Sequence, residues 1–90
     1  MALLIATEHN RVEIVEFLLS TPDIDVNLQD KDRWTALMRA SWRGHVEIVK
    51  LLLSRPDLDV NLRNGYGWTA RILASLWEHT EIVSLLKNHI

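Results

Sequence analysis

The sequence predicts a single all-α domain over residues 1–90, in which pairs of short helices stack into a solenoid. The main observation is an internal repeat: "VEIVEFLLSTPDIDVNLQD" from Val12 recurs as "VEIVKLLLSRPDLDVNLRN" from Val46, with 13 of the 19 positions identical. Apolar residues inside the repeat fall at helical spacings, and polar, turn-forming segments separate the helices. A fixed period, here the 34 residues from Val12 to Val46, is typical of solenoids whose neighbouring units cover each other's apolar faces.

Each unit is predicted to contain a hairpin-like loop, then a short helix of the type "TALMRASW", then a longer helix. Thr35 and Thr69 stand at the start of the short helix, where a hydroxyl accepts hydrogen bonds from the free N–H groups of the first turn. Gly44 stands at its end, where a left-handed residue lets the chain leave the helix. The second helix, "VEIVKLLL" at Val46–Leu53, is expected to be the longer of the pair, and Pro56 prevents its continuation.

The segments between helix pairs, "DVNLQDKDRW" and "DVNLRNGYGW", are polar and rich in Asn, Asp and Gly. They predict hairpin-like loops that join one pair to the next. Four aspartates in or before these segments recur with the repeat: Asp23, Asp25, Asp57 and Asp59. Turns and helix ends explain them better than calcium binding, because their spacing does not match a calcium loop.

This pattern resembles the ankyrin repeat over essentially the whole chain. The resemblance rests on "DKDRWTAL" from Asp30, "RGHVEIVKLLL" from Arg43 and "DVN" from Asp59. Two departures are visible: the family's Thr-Pro-Leu-His becomes "TALM" and "TARI", and its Gly-Ala-Asp becomes "PDID" and "PDLD". The period is accordingly one residue longer than the family's usual length of about 33.

The repeat divides the chain into units of about residues 1–29, 30–63 and 64–90. About two and a half helix-pair units are expected, because the first unit lacks its hairpin. In the last unit, three polar residues stand where the middle unit has apolar ones: Arg71, Thr80 and Lys87. They predict a C-terminal cap, whose outer face no further unit covers.

Composition excludes several classes of function. A formal net charge of -2 leaves no basic field for a phosphate backbone, so nucleic acid is not an expected partner. The absence of cysteine excludes disulfides and thiolate sites and favours a reducing compartment, cytosolic or nuclear, of which we expect the cytoplasm. The longest apolar run, Ala2–Ala6, is far too short to span a bilayer and no leader pattern accompanies it, so a soluble chain without a membrane partner is expected.

Four tryptophans occupy two kinds of slot in the repeat. Trp34 and Trp68 stand at the last loop position before the threonine cap, whereas Trp42 and Trp77 stand at the end of the first helix and in the turn that follows. Stacking places equivalent slots side by side, about 10 Å apart, so these side chains and Tyr66 are expected to share one exposed face. Trp, Tyr and Arg are the residue types that dominate binding hot spots.

The resemblance gives the same slots a function, because loop tips and first helices form the variable contact surface of ankyrin-repeat proteins. The predicted protein-binding residues are Lys31, Asp32, Arg33, Trp34, Arg39, Trp42, Arg43, Tyr66, Trp68, Leu76 and Trp77. Between Lys31 and Arg43, four basic residues stand with one acidic residue, a local charge of +3 that favours a partner with an apolar pocket rimmed by acidic residues. Partial burial of a single tryptophan and simple solvation of Arg39 are the alternative interpretations.

Catalysis is not expected. The resemblance implies a structural hydrogen-bonding role for His45 and His79, and the sequence contains no HExxH, phosphate-loop or Walker pattern. Ser41, His45 and Glu47 lie close in sequence, but proximity along adjoining helices does not imply the geometry of a nucleophile and its base. The sequence therefore predicts a non-enzymatic module without a metal or cofactor.

Two functional hypotheses follow. The first is a protein-binding module; the concentration of tryptophan in contact slots on a regular framework also suits an engineered binder. The second is a structural homodimer, in which the aromatic face or the "ALLIA" segment at Ala2–Ala6 pairs two copies of the chain.

Overall fold

A computed structural model of the protein describes residues 1–89. It contains six α-helices: α1 (Ala2–Glu8), α2 (Val12–Leu19), α3 (Ala36–Arg43), α4 (Val46–Leu53), α5 (Ala70–Leu76) and α6 (Thr80–Lys87). Consecutive helices pack as three pairs; α1, α3 and α5 contact one another in turn to form one layer, and α2, α4 and α6 form a second. This packing confirms the predicted all-α solenoid. None of the described helices has the length and apolar character that crossing a membrane requires.

The helix boundaries follow from capping, as predicted. Oγ1 of Thr35 accepts a hydrogen bond from the backbone N–H of Met38 (3.2 Å), and Oγ1 of Thr69 accepts one from Ile72 (3.3 Å). Gly44 ends α3 in the left-handed conformation, with φ at 79°. The expectation that the second helix is the longer one is wrong for the middle pair: α3 continues up to this glycine, so α3 and α4 both have eight residues.

Equivalent positions of successive units form one apolar core between the two layers. The largest fully buried apolar side chains are Leu37, Met38, Ile48, Leu52, Leu73 and Ile82. Ile48 and Ile82, which are 34 residues apart, are both at 0% exposure. Burying one such side chain stabilises a fold by roughly 1.5–3 kcal/mol. Apolar side chains that recur at equivalent positions therefore hold neighbouring units together.

Hydrogen bonds also cross the unit boundaries with the period of the repeat. Nε2 of His45 donates to the backbone carbonyl of Glu8 (3.2 Å), and Nε2 of His79 donates to that of Trp42 (2.9 Å). Each histidine directly precedes the second helix of its pair and ties it to the first helix of the preceding pair. The structural role that the resemblance implies for these histidines is confirmed.

The loops between pairs end in two tight tips, Asp30–Trp34 and Asn64–Trp68. In each tip the N–H of the first residue donates to the carbonyl of the last (3.0 Å), and the first side chain accepts two further N–H groups. The tips lie side by side, because the N–H of Gly65 donates to the carbonyl of Asp32 (2.9 Å). The described residues form no β-strand, so the predicted hairpins are turns that Asp and Asn side chains close.

The first and last helix pairs differ in what they expose. The three residues of the predicted C-terminal cap are all exposed: Arg71, Thr80 and Lys87. In the first pair, Ile14 and Phe17 of α2 are 52% and 68% exposed, whereas Ile48, the equivalent of Ile14, is fully buried. The first pair therefore leaves uncovered an apolar face that the middle pair buries.

Candidate protein-binding surface

The four tryptophans line one cavity, as the prediction of a shared face requires. The cavity has a volume of about 400 Å³ and is lined by Trp34, Trp42, Trp68, Leu73, Leu76 and Trp77. We term it the aromatic groove. Its lining comes from α3, from α5 and the residue that follows it, and from the last residue of each tip, so the stacking of the middle and last units assembles it.

Edge-to-face contacts connect three of the indoles. The ring centroids of Trp34 and Trp42 are 5.5 Å apart and those of Trp42 and Trp77 are 6.1 Å apart, with an angle of 69° between the planes in both pairs. Contacts of this geometry contribute about 0.5–1.5 kcal/mol each beyond the burial of area. Trp42 is therefore the centre of the cluster, and both Trp34 and Trp42 are half-buried.

The rim of the aromatic groove is apolar and open to solvent. Leu76 is 55% exposed and Trp77 is 58% exposed, whereas Leu73 at the base is buried. Isolated apolar residues on a surface are ordinary, but a contiguous apolar area beside a cavity marks an interaction site. The groove is therefore a candidate binding surface.

Two arginines lie against the faces of the half-buried indoles. Cζ of Arg39 is 5.2 Å from the ring centroid of Trp34, and Cζ of Arg43 is 4.3 Å from that of Trp42. Glu8, the last residue of α1, holds both arginines. Its Oε2 accepts from Nε (2.7 Å) and lies 2.6 Å from Nη2 of Arg43, and its Oε1 lies 3.5 Å from Nη1 of Arg39.

Asp30 holds Arg39 from a second direction. Its Oδ2 accepts from Nη2 of Arg39 at 2.5 Å, while its Oδ1 accepts the N–H groups of the tip. Burial raises the pKa of Asp30, but hydrogen bonds from the backbone of Trp34, the guanidinium of Arg39 and the backbone of Asp32 outweigh it and place the pKa below its ordinary value of 3.8. The carboxylate is therefore ionised at neutral pH. We term Glu8, Asp30, Arg39 and Arg43 the arginine clamp.

The arginine clamp corrects the predicted electrostatics of this surface. The local charge of +3 between Lys31 and Arg43 counted only residues adjacent in sequence, whereas the fold brings Glu8 and Asp30 onto the two arginines. With these two carboxylates included, the local charge is +1. Arg39 and Arg43, predicted as contact residues, are thus already paired inside the chain.

The remaining predicted contact residues line a second cavity beside the groove. This tip cavity has a volume of about 680 Å³ and is lined by Lys31, Asp32, Arg33, Trp34, Gly65 and Tyr66. Tyr66 stacks on Trp68, with ring centroids 4.9 Å apart, and Trp34 lines both cavities. Within residues 1–89, Lys31 and Arg33 form no ion pair, so this cavity offers a partner two unpaired basic side chains.

Sequence reasoning missed Glu8 and Asp30 as parts of this surface. Glu8 lies 34 residues before Trp42, so it occupies the tryptophan slot of the first unit, and this offset is the observation that points to it. Asp30 has the pattern of a turn residue alone. No local pattern shows that Arg39, nine residues later, lies against it.

The catalytic alternatives gain no support from the described residues. Ser41 is fully buried and its hydroxyl has no hydrogen-bond partner there, while the ring of His45 bonds a backbone carbonyl instead. Across residues 1–89, no three His, Cys, Asp or Glu side chains are close enough to hold a metal ion.

The repeat, the two helix layers and the histidine bonds are those of an ankyrin-repeat protein. A family model described as ankyrin repeats, in three copies, matches residues 1–64. The chain therefore belongs to the ankyrin-repeat family, whose members are protein–protein interaction modules. No curated protein sequence matches it.

A solved structure is similar in both fold and sequence. It is the Bd0816 predatory endopeptidase from Bdellovibrio bacteriovorus in complex with the immunity protein Bd3460, and the ankyrin-like chain in it is the immunity protein. The match has a TM-score of 0.90 and 33% sequence identity, and covers 98% of this chain and 45% of that chain. This protein thus spans less than half the length of that relative.

Proposed function

We propose that this protein binds a partner protein through the aromatic groove and the adjoining tip cavity. The observation that carries the proposal is the rim of the groove, where Leu76 and Trp77 are each more than half exposed beside a preformed apolar cavity. Large, rigid apolar side chains in such a position are typical of hot spots, since little rotamer freedom is lost when they are buried. Trp77 and Leu76 are the protruding anchors, and Trp34, Trp42 and Trp68 form the walls.

The two cavities indicate the chemistry of the partner. Trp77 requires an apolar pocket, because the groove around it offers almost only apolar side chains. Acidic residues of the partner would face Lys31 and Arg33 in the tip cavity, since the clamp arginines already hold carboxylates. A cationic ligand is disfavoured, because guanidinium groups already lie on the faces of the two half-buried indoles.

The solved relative supports a protein as partner. In that complex an immunity protein is bound to an endopeptidase, so an endopeptidase is a candidate partner class for this chain. Catalysis would then belong to the partner, and this chain would be the non-catalytic component in the cytoplasm. An engineered binder would use the same surface. An engineered origin therefore stays a prediction beside that of a natural binding module.

Selection from a displayed peptide library against the immobilised protein tests the proposal. Peptides that bind the parent are titrated against Trp77→Ala and against Phe17→Ala, a matched control that removes another mostly exposed aromatic side chain, which lies outside the groove. Truncating an anchor removes about 2 kcal/mol, so Trp77→Ala is expected to weaken binding about 30-fold. Phe17→Ala is expected to leave affinity unchanged. Equal effects of the two variants, or full affinity of a folded Trp77→Ala variant, would contradict the proposal.

Self-association is the second candidate function, and the first helix pair favours it. Ile5, Ile14 and Phe17 are each more than half exposed there, and two copies could cover these side chains by pairing. Sedimentation equilibrium at micromolar concentration separates the two candidates. A dimer that Phe17→Glu converts to a monomer would support self-association, whereas a parent protein that is already monomeric would reject it.

A further inference from the structure

Glu8 connects the first helix pair to the aromatic groove. Its side chain is only 19% exposed, although it lies at the end of a short helix, because both clamp arginines close over it. Trp42 and Leu76 occupy the same slot in the middle and last units, and both line the groove. The first unit therefore places a carboxylate where the other units place an apolar contact residue.

We propose that Glu8 is a positioning residue of the aromatic groove. It holds the guanidinium of Arg43 against the face of Trp42 and thereby fixes the indole at the centre of the cluster. The purpose of this arrangement rests on the proposed function, but the arrangement itself is a property of the isolated protein. Glu8 acts on the binding surface through Arg43, without lining the groove.

The ion pair between Arg43 and Glu8 and the stacking of Arg43 on Trp42 depend on each other. The side chain of Arg43 is 47% exposed, so an ion pair alone would be weak and would leave the long side chain free to move. Two nitrogens of Arg43 meet the same oxygen of Glu8, at 2.6 and 2.7 Å, while the guanidinium lies 4.3 Å from the centroid of Trp42. Each contact restricts the rotamers that the other requires, and the planar guanidinium serves both at once.

Arg39 provides an internal comparison. It meets two carboxylates, Asp30 and Glu8, whereas Arg43 meets Glu8 alone in the described part of the chain. Removing the charge of Glu8 therefore leaves Arg39 with one carboxylate and Arg43 with none. The two arginines should respond differently to one substitution.

Proton–nitrogen NMR correlation spectra of the isolated protein test this inference. The Nε–H of Arg43 and the Nη–H groups of Arg39 report on the carboxylates that they meet, and the indole N–H of Trp42 reports on the indole. In Glu8→Gln, which keeps the shape and removes the charge, we expect the Arg43 signal to move to the position of a free arginine and the Trp42 signal to shift. The chemical shifts of the Arg39 signals are expected to stay close to those in the parent spectrum, because Asp30 still holds this guanidinium. Glu16→Gln is the matched control, because Glu16 is exposed and forms no ion pair within residues 1–89.

Several outcomes would overturn the inference. One is a folded Glu8→Gln variant whose Arg43 and Trp42 signals match the parent, and another is an equal loss of the Arg39 and Arg43 signals. If the variant loses its folded spectrum, a salt titration of the parent decides. Raising NaCl from about 0.02 M to about 0.5 M should release the more exposed Arg43 before Arg39, because screening weakens exposed pairs most. Equal release of both arginines would contradict the inference.

No partner is needed for these measurements, so the inference and the proposed function can fail separately. Peptide selection that finds no groove-dependent binder would remove the proposed function and leave the clamp geometry standing. Unchanged NMR signals in Glu8→Gln would remove the positioning role and leave the groove as a candidate binding surface.

Discussion

The aromatic groove has a clamped half and an open half. In the middle unit, Trp34 and Trp42 are half-buried, and each lies beside an arginine that a carboxylate holds. In the last unit, Leu73 and Trp77 stand at the positions of those arginines, and Trp77 is 58% exposed. The repeat thus builds two similar surfaces that differ in how firmly their side chains are held.

This difference indicates a division of roles. Side chains fixed before binding lose little freedom when a partner arrives, which raises affinity without adding contacts. Under the proposed function, side chains that protrude supply the area that the partner buries. Trp34 and Trp42 of the middle unit would then be preformed walls of the groove, and Leu76 and Trp77 of the last unit its anchors.

Alanine substitution of one indole from each half gives the largest expected effect on stability. Trp42→Ala removes the centre of the cluster and should lower the free energy of unfolding by about 2–3 kcal/mol, less than for a fully buried tryptophan. Trp77→Ala should lower it by less than about 1 kcal/mol, because the side chain is mostly exposed. Urea denaturation measures both, and equal losses would show that the halves do not differ.

The turns that follow the two halves provide the next comparison. Gly44 follows the clamped half with φ at 79°, and a Cβ built there would lie 2.7 Å from the ring of His79. Gly44→Ala should therefore destabilise the protein by about 2 kcal/mol, through backbone strain and displacement of the imidazole that bonds Trp42. The same urea measurement checks it. A free energy of unfolding equal to that of the parent would contradict both the strain at Gly44 and the contribution of the hydrogen bond between His79 and the carbonyl of Trp42.

Acid should loosen the clamped half. The pKa of Asp30 is lowered in the folded protein, so its stabilising contribution is present above the unfolded value of 3.8 and is lost as pH falls through the lower folded pKa. Asp30→Asn should lower the free energy of unfolding by about 1 kcal/mol at pH 7, the size of one hydrogen bond, and by less in acid, where the carboxyl of the parent protein becomes protonated. Asn64 makes the same tip bonds with an amide, so the turn itself should persist.

Urea titrations of the parent and Asp30→Asn at pH 7 and near pH 2 measure this difference. The difference in the free energy of unfolding should be smaller at the lower pH. A constant difference at both values would assign the effect to the turn and not to the charge on Asp30.

The open half should gain stability from one substitution in its turn. Glu78 occupies the position of Gly44 in the last unit, and its φ of 58° is unfavourable for a residue with a side chain. Glu78→Gly should stabilise the protein by about 0.5–1 kcal/mol, whereas Glu78→Ala, which keeps the Cβ, should not. A higher melting temperature for both variants would point to the charge of Glu78 as the cause.

The framework could be predicted from the sequence because its information is local and repeated. Thr35 begins a helix, Gly44 ends it, and the apolar spacing of Val46–Leu53 chooses the buried face, all within a few residues of chain. The shared face of the tryptophans followed as well, since the period alone places equivalent slots side by side. The exposure of Arg71 and Lys87 followed in the same way.

The clamp could not be predicted, because its partners are distant in sequence and differ between units. Glu8 and Arg43 are 35 residues apart and meet only when the first and middle pairs stack. A count of charges over Lys31–Arg43 alone therefore predicted a local charge of +3, whereas the folded surface, with Glu8 and Asp30 included, has +1. Positions that repeat define the fold and the slots of Trp34 and Trp68, whereas the clamp depends on positions that depart from the repeat.

The central claim is that the indoles form one surface that a partner covers, and NMR tests it most directly. Each of the four tryptophans gives its own indole N–H signal, and a peptide selected for binding to the parent is titrated into the labelled protein. We expect the signals of Trp42, Trp68 and Trp77 to shift together with a single binding curve, while the backbone signals of Ile14 and Phe17 stay in place. Indole signals that remain still while the α2 signals shift would contradict the claim.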